Sequence, residues 1–122
     1  MKKALIIINE THSMMDEQKS IIEERYQKYE VLKVPSQGWD IDEMIDKIFK
    51  LHDKACEEGI DIIFISPIPL MIRELTEMAM CPRGTGKKRY GVKLFHNDRR
   101  EKKELPDGRI ISVVAQTGWQ LV

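Results

Sequence analysis

A cluster of polar side chains follows the first apolar segment of the chain without a spacer. Residues 4–8 read ALIII, and Asn9, Thr11, His12 and Ser13 come directly after them. Amide, hydroxyl and imidazole groups can bind phosphate and ribose, and an imidazole can also accept a proton near neutral pH. These residue types therefore favour a ligand that carries phosphate.

A second polar exit follows another apolar run, residues 61–65, which read DIIFI. Ser66 and Pro67 stand there, directly before a helical pattern. Short apolar runs of this kind are typical of strands that are buried on both faces of a parallel sheet. The carboxyl ends of such strands meet at one edge of the sheet beside helix N-termini, where anions bind. We therefore expect the two polar loops to lie on the same side of the sheet.

Three helical patterns separate the strands. Residues 14–28 are rich in good helix formers, and Ser13 is the predicted N-cap. The second pattern has a capping signature at Asp40 and a glycine stop at Gly59, with apolar residues at helical spacing between them. The third pattern, 68–79, also has one apolar face.

Alternation of strands and helices predicts an α/β fold. Further strands are expected at 30–34 and 91–95, and residues 109–122 are expected to form one or two strands bent at Gly118. We predict a single domain, 1–122, with a mainly parallel sheet covered by three helices on both faces and a C-terminal β-hairpin on one edge.

The composition excludes several classes of protein. Twenty Lys and Arg residues balance 20 Asp and Glu residues, so no global attraction to nucleic acid follows. The apolar run 4–8 is too short for a signal peptide or a membrane span. The charged segment 96–108 interleaves acids with bases and predicts a solvated surface rather than an RNA track. We expect a soluble, cytoplasmic protein with no membrane partner and no long nucleic acid partner.

Cys56 and Cys81 form no CxxC pair and no Cys/His cluster, so we expect two reduced thiols near the core and no zinc site. The chain has no GxGxxG after the first strand and no P-loop, so a classical dinucleotide site is not expected. The residues predict no cofactor and no bound metal.

The Gly-rich basic segment 81–91 has two interpretations. As a flap, it would close Lys87, Lys88 or Arg89 over an anionic ligand; alternatively, it is a solvated loop. Arg73, one turn into the third helix, either reaches a phosphate or meets solvent.

Other candidate residues also have structural interpretations. His12 can serve as a helix cap or a surface residue, and His52 lies on the apolar face of the second helix. Trp39 and Trp119 can stack on adenine, but they serve equally as packing anchors.

Four segments together resemble a known family. They read ALIIINETHSMMDEQ, YEVLKVP, IDIIFISPIPLMIREL and GVKLF. This order, with an amide and a histidine after the first strand and Val-Pro after the second, resembles the small stand-alone CARF-like proteins of type III CRISPR loci. The resemblance covers most of the first 95 residues at the level of element order, and its motifs are loose. His12 lies further from its strand than the family pattern has it, and the basic loop 83–89 looks like an insertion.

The resemblance implies a Rossmann-like homodimer that binds a cyclic oligoadenylate across the dimer interface. Several members, called ring nucleases, cleave this second messenger and switch off the antiviral response. For this chain, the ligand expected on that basis is cyclic tetra-adenylate, cleaved without a metal by its own ribose 2′-OH.

The implied ligand-binding residues are Asn9, Thr11, Ser13, Ser66, Pro67, Arg73, Lys87 and Arg89. The implied catalytic residues are His12, as proton acceptor, and Lys88, as a charge that stabilises the transition state. Three alternatives stay open: a sensor that binds the cyclic nucleotide without cleaving it, an unrelated flavodoxin-like or nucleotide-binding domain, and a purely structural interaction protein.

Overall fold

The computed structural model describes residues 2–80, 88–97 and 99–122. In chain order the elements are β1 (Lys3–Asn9), α1 (Asp16–Arg25), β2 (Lys28–Val34), α2 (Ile41–Glu58), β3 (Asp61–Phe64), α3 (Pro69–Met80), β4 (Val92–His96), β5 (Arg100–Glu104), β6 (Ile110–Val114) and β7 (Gln120–Leu121). The predicted alternation of strands and helices is confirmed, and the fold class is α/β.

The main sheet has five strands in the order β2-β1-β3-β4-β7. The first four strands are parallel, and β7 runs antiparallel to β4. In the centre, Ile7 lies opposite Leu32 on one side and Phe64 on the other. The edge at which β1 to β4 end is called the carboxyl edge below, and the edge at which they begin is called the amino edge.

Both faces of the central strands are buried, as predicted. Leu5, Ile7, Ile62 and Phe64 pack in a core with α2 and α3. The alternate residues of β1 and β3 pack with α1 in a second core, whose buried members are Ala4, Ile6, Ile22, Tyr26, Ile63 and Leu121. Each fully buried large aliphatic side chain contributes about 1.5–3 kcal/mol, which explains why both strands are apolar throughout their length. Ile65, predicted to be buried with 61–64, is only partly buried.

Helix α2 begins and ends as its sequence predicts. The carboxylate Oδ1 of Asp40 accepts a hydrogen bond from the backbone N–H of Glu43 at 2.9 Å. Gly59 ends the helix in the left-handed region, with φ +68°.

Helix α1 begins later than predicted. Ser13 does not cap it; the N-cap is Met15, whose N–H donates to Oε1 of the buried Gln18 at 3.0 Å. The reason is a tight turn after β1, described below, which keeps Ser13 in the exposed exit loop.

The C-terminal hairpin is confirmed, but it forms a sheet of its own. Part of the segment expected to be a charged excursion is a strand, β5, which pairs antiparallel with β6. The Asn97 side-chain amide donates to the carbonyls of Ala115 (3.3 Å) and Thr117 (2.9 Å) and ties the base of the hairpin to the end of β4. After Gly118, with φ +90°, the chain returns to the main sheet as β7.

Within the described ranges, no helix combines the length and the apolar content that a membrane crossing requires. Cys56 is buried, as predicted. Cys81 and the loop residues up to Lys87 lie outside the described residues.

Candidate functional site

The carboxyl edge brings the two predicted polar exits together. β1 and β3 are neighbours and run parallel, so the loops after Asn9 and Phe64 leave the sheet side by side. Each helix that follows a strand starts at this edge and runs back towards the amino edge, so the N-termini of α1, α2 and α3 lie here too. Their unpaired N–H groups favour negative charge.

A single buried hydroxyl joins the two exits. Ser66 is only 3% exposed. Its Oγ accepts a hydrogen bond from the backbone N–H of Asn9 at 2.8 Å and lies 2.7 Å from Nδ1 of His12. Ser66 therefore fixes both the backbone at the end of β1 and the imidazole ring.

Asn9 and Thr11 build the turn that presents His12. The Asn9 side-chain oxygen Oδ1 accepts from the Thr11 N–H at 2.9 Å and from the Thr11 hydroxyl at 2.7 Å. The Asn9 carbonyl accepts from the His12 N–H at 2.9 Å. These bonds close a compact turn, so in this structure the two side chains position the histidine.

The imidazole of His12 is held from one side and open on the other. His12 as a residue is exposed to solvent, whereas its Nδ1 atom contacts the buried Ser66 hydroxyl. A hydroxyl oxygen can accept two hydrogen bonds, so Ser66 can accept from both the Asn9 N–H and a protonated Nδ1. In that tautomer Nε2 is a proton acceptor; in the other, Ser66 donates to Nδ1 and Nε2 carries the proton. Either tautomer gives a positioned ring that can exchange a proton with a ligand.

Glu10 joins the exit of β2 to this loop. Its N–H donates to the Val34 carbonyl at 2.8 Å, and its Oε1 accepts from the Ser36 N–H at 2.8 Å. Hydrogen bonds from the Ser36 backbone and then from its hydroxyl, with the Lys33 charge as a smaller cause, lower the pKa of Glu10. Glu10 was not predicted as a site residue, although it lies within the same polar cluster.

Lys88 and Arg89 lie at the opposite edge of the sheet. The Lys88 N–H donates to the Cys56 carbonyl at 2.8 Å, and the Lys88 side chain packs against Gly59 at the end of α2. Ser66 is roughly 20 Å away, the rise of about six strand residues. Contrary to the prediction, these two cations do not lie over His12 in one chain, because the segment before a parallel strand must return to the amino edge.

The remaining predicted residues have separate positions. Ser13 and Pro67 are exposed in the exit loops, and Lys87 lies outside the described residues. Arg73 bonds Glu74 Oε1 at 2.8 Å and lines an apolar groove of about 390 Å³ between α2 and α3. It is therefore directed towards α2 in this structure.

The segment after β6 also reaches the carboxyl edge. Glu17 Oε1 accepts from the N–H groups of Gly118 (2.9 Å) and Trp119 (2.7 Å), which ties the start of α1 to this segment. A cleft of about 420 Å³ lies between them, lined by Met14, Met15, Asp16, Glu17, Gln116 and Thr117.

Arg99 is a cation at this edge, although it belongs to the segment 96–108 that was predicted to be a solvated surface. The Arg99 side chain packs directly on Gly118, where a Cβ would lie only 2.6 Å from Arg99 Cδ, and the positive φ of +90° is the reason that this position favours glycine. The sequence does carry a signal for this position, because Arg99 follows β4, the last parallel strand, and therefore lies at the carboxyl edge.

Both tryptophans have packing contacts. Trp119 meets Phe95 edge-on, with ring centroids 6.2 Å apart. Trp39 packs against the core on the α2 and α3 face, and Lys47 Nζ lies 5.5 Å from the centroid of its ring. These contacts agree with the packing-anchor alternative.

Among the described residues, His, Cys, Asp and Glu side chains form no cluster of three that could hold a metal ion. No protein-family model, curated protein or solved structure matches the chain.

Proposed function

We propose that this chain is a CARF-like protein with a Rossmann-like fold that binds a cyclic oligoadenylate, cyclic tetra-adenylate, at the carboxyl edge and cleaves it without a metal. The observation that carries the proposal is the Ser66 contact. A buried hydroxyl holds an otherwise exposed imidazole at the edge of a parallel sheet where three helices begin. A site of this type suits a phosphate with an adjacent ribose hydroxyl.

The proposed reaction uses the nucleophile of the ligand itself. The ribose 2′ oxygen attacks the adjacent phosphorus, the bond from phosphorus to the 5′ oxygen breaks, and the products are a 2′,3′-cyclic phosphate and a 5′-hydroxyl. His12 Nε2 accepts the 2′-OH proton, and the departing 5′ oxygen takes a proton from solvent. The protein contributes in-line positioning and charge stabilisation, which the helix N-termini and Arg99 supply in place of Lys88.

The proposal includes a homodimer. A cyclic ligand made of repeated units has its own symmetry, and an isologous dimer presents the same loops twice around a two-fold axis. One chain of 122 residues then supplies half of the site.

A second candidate function is binding without cleavage. Lys88 and Arg89 lie far from His12, and the Glu10 carboxylate lies beside the exit loop. A site with few nearby cations and one nearby carboxylate is less suited to stabilising a charged transition state than to recognising adenine and ribose. A sensor or sequestering module would keep the same loops.

The deciding experiment is incubation with cyclic oligoadenylates of several ring sizes, with and without EDTA, followed by chromatography and calorimetry. The proposal expects tight binding of one ring size and a linear product that forms equally with EDTA. Tight binding without product supports the sensor, and the absence of both binding and product rejects the two functions together.

A further inference from the structure

The hairpin of β5 and β6 has two edges of different chemistry. β5 carries a charge at every position of its sequence, REKKE. β6, IISVV, carries none, and its Ile110, Ile111 and Val114 are 67%, 38% and 38% exposed. In the described part of the chain the two strands form a sheet by themselves, so the outer edge of β6 is unpaired there.

The other edge strands are protected against strand addition. Charged side chains and very short strands are the usual protections of a sheet edge. β2 carries Lys28, Glu30 and Lys33, and β7 has only two residues. Among the described edge strands longer than two residues, β6 alone has neither protection.

The hydrogen bonds inside the hairpin determine which groups of β6 point outward. The Leu105 N–H donates to the Arg109 carbonyl (2.7 Å), and the Ala115 N–H donates to the Arg99 carbonyl (3.2 Å). Hydrogen-bonded pairs alternate along an antiparallel ladder, so Ile111 and Val113 bond to β5 as well. The N–H and C=O groups of Ile110, Ser112 and Val114 therefore point away from β5.

We propose that β6 pairs antiparallel with β6 of a second copy, in a register centred on Ser112. Ser112 then faces Ser112 of the partner subunit, and Ile110 faces Val114 of the partner subunit. Every outward-pointing group of β6 gains a partner in this register, and Ile111 falls opposite Val113 of the partner subunit. No like charges meet, because neither strand carries any.

The register also limits the assembly to two copies. The resulting order β5-β6-β6-β5 leaves the charged β5 strands on the outside, where they oppose further addition. A two-stranded hairpin is marginally stable alone, and a four-stranded sheet is stable. The hairpin leaves the body after β4, at the edge that holds His12, but the pairing does not rest on the proposed nucleotide or its cleavage.

Two proline variants in the same hairpin provide the test. Ser112→Pro removes the N–H at the centre of the proposed interface without removing a bond to β5. Lys102→Pro is the matched control, because Lys102 lies opposite Ser112 and points its N–H to the other edge. By sedimentation equilibrium without nucleotide, the parent and Lys102→Pro should be dimers. Ser112→Pro should weaken dimerisation by about tenfold to 100-fold, the loss of two hydrogen bonds.

A charge pair tests the register independently of proline. Ile110→Lys and Val114→Glu should each weaken the dimer. The double variant should recover it, because the introduced ammonium of one copy then faces the introduced carboxylate of the other. A monomeric parent, equal dissociation of both proline variants, or additive loss in the double variant would overturn the proposal. These measurements are made without nucleotide, so they do not bear on whether the nucleotide is bound or cleaved. Only a monomeric parent would also count against the homodimer in the proposed function; failure of the proline or charge variants alone overturns the pairing of β6.

Discussion

The two edges of the main sheet each anchor a buried polar group near one end of β3, but their hydrogen-bond networks end differently. At the amino edge Asp61 is 4% exposed and accepts from the Tyr26 hydroxyl (2.9 Å), the Gly91 N–H (2.8 Å) and Lys2 Nζ (3.2 Å). At the carboxyl edge Ser66 is 3% exposed, but its network passes to an imidazole in solvent.

This difference distinguishes the structural role of Asp61 from the binding role proposed for the loop that Ser66 holds. The Asp61 carboxylate accepts from the buried Tyr26 hydroxyl and the Gly91 N–H, so it fixes β3 against α1 and the start of β4. The exposed member of its network, the Lys2 ammonium, is already paired with Asp61 itself. The Ser66 network leaves one face of His12 open to a ligand. A buried polar residue is therefore informative about function only when its hydrogen bonds are followed to their last member.

The largest expected effect is that of the substitution His12→Ala on the rate of cleavage. If His12 accepts the 2′-OH proton, the single-turnover rate should fall by roughly 10²–10⁴-fold, while affinity changes little. Lys88→Ala, at the opposite edge, is the control and should bind and cleave like the parent. A His12→Ala variant with the parental rate would leave the exit loop with only a structural role.

Asp61→Ala should cost about 3 kcal/mol of the free energy of unfolding, because it leaves the buried Tyr26 hydroxyl and the partly buried Gly91 N–H without their acceptor. Urea denaturation measures this loss. Lys2→Met is the matched control; the Lys2 side chain is 54% exposed, so its loss should cost under about 1 kcal/mol. Equal losses would show that the ion pair, rather than the buried bonds, stabilises this edge.

Alkaline pH should destabilise the fold through two tyrosines. Burial raises the pKa of Tyr26, assisted by its hydrogen bond to Asp61, and burial with the Cys56 charge raises the pKa of Tyr90. Above the ordinary pKa of 10.0, the unfolded chain releases these protons while the folded chain keeps them, so stability falls as pH rises. Each tyrosine should contribute about 1.4 kcal/mol per pH unit.

Urea midpoints at pH 9, 10 and 11 measure this slope, and Tyr26→Phe should reduce it by about half. An unchanged slope in that variant would place the titration elsewhere.

The smallest effect is expected from Ser66→Ala. Losing the acceptor of the Asn9 N–H and the partner of His12 should cost about 1–2 kcal/mol of stability. The cleavage rate should fall about tenfold through misplacement of the ring. Ser20→Ala, at an exposed serine within α1, should leave the cleavage rate unchanged and alter stability by under about 1 kcal/mol. Equal behaviour of the two serine variants would remove Ser66 from the site.

Local patterns predicted the elements whose burial is decided locally. The runs at β1 and β3 and the caps of α2 are readable because a strand buried on both faces is apolar and a helix needs a cap. The prediction that Ser13 caps α1 was wrong because the Asn9 turn holds Ser13 in the exit loop. That turn is formed by hydrogen bonds from Thr11 and His12 to Asn9, which a capping pattern in the sequence does not reveal.

For the candidate site, the sequence predicted only that the loops after β1 and β3 lie at the same edge of the sheet. Topology places both exits together, whereas the 2.7 Å contact between His12 and Ser66 depends on the turn geometry. Lys88 was predicted at the wrong edge because the prediction used the basic composition of its loop. The position of Lys88 before β4, which places it at the amino edge, was not considered. The strand β5 was missed because both of its faces are exposed, so its charges show no alternation.

The position of Leu121 in the α1 core has a consequence for biosynthesis. The core on the α2 and α3 face draws its members from Leu5 to Leu94, whereas the other face includes Leu121. As the chain leaves the ribosome, the first face can therefore pack while the second still lacks Leu121. During translation we therefore expect the core on the α1 face to stay incomplete until β7 docks beside β4.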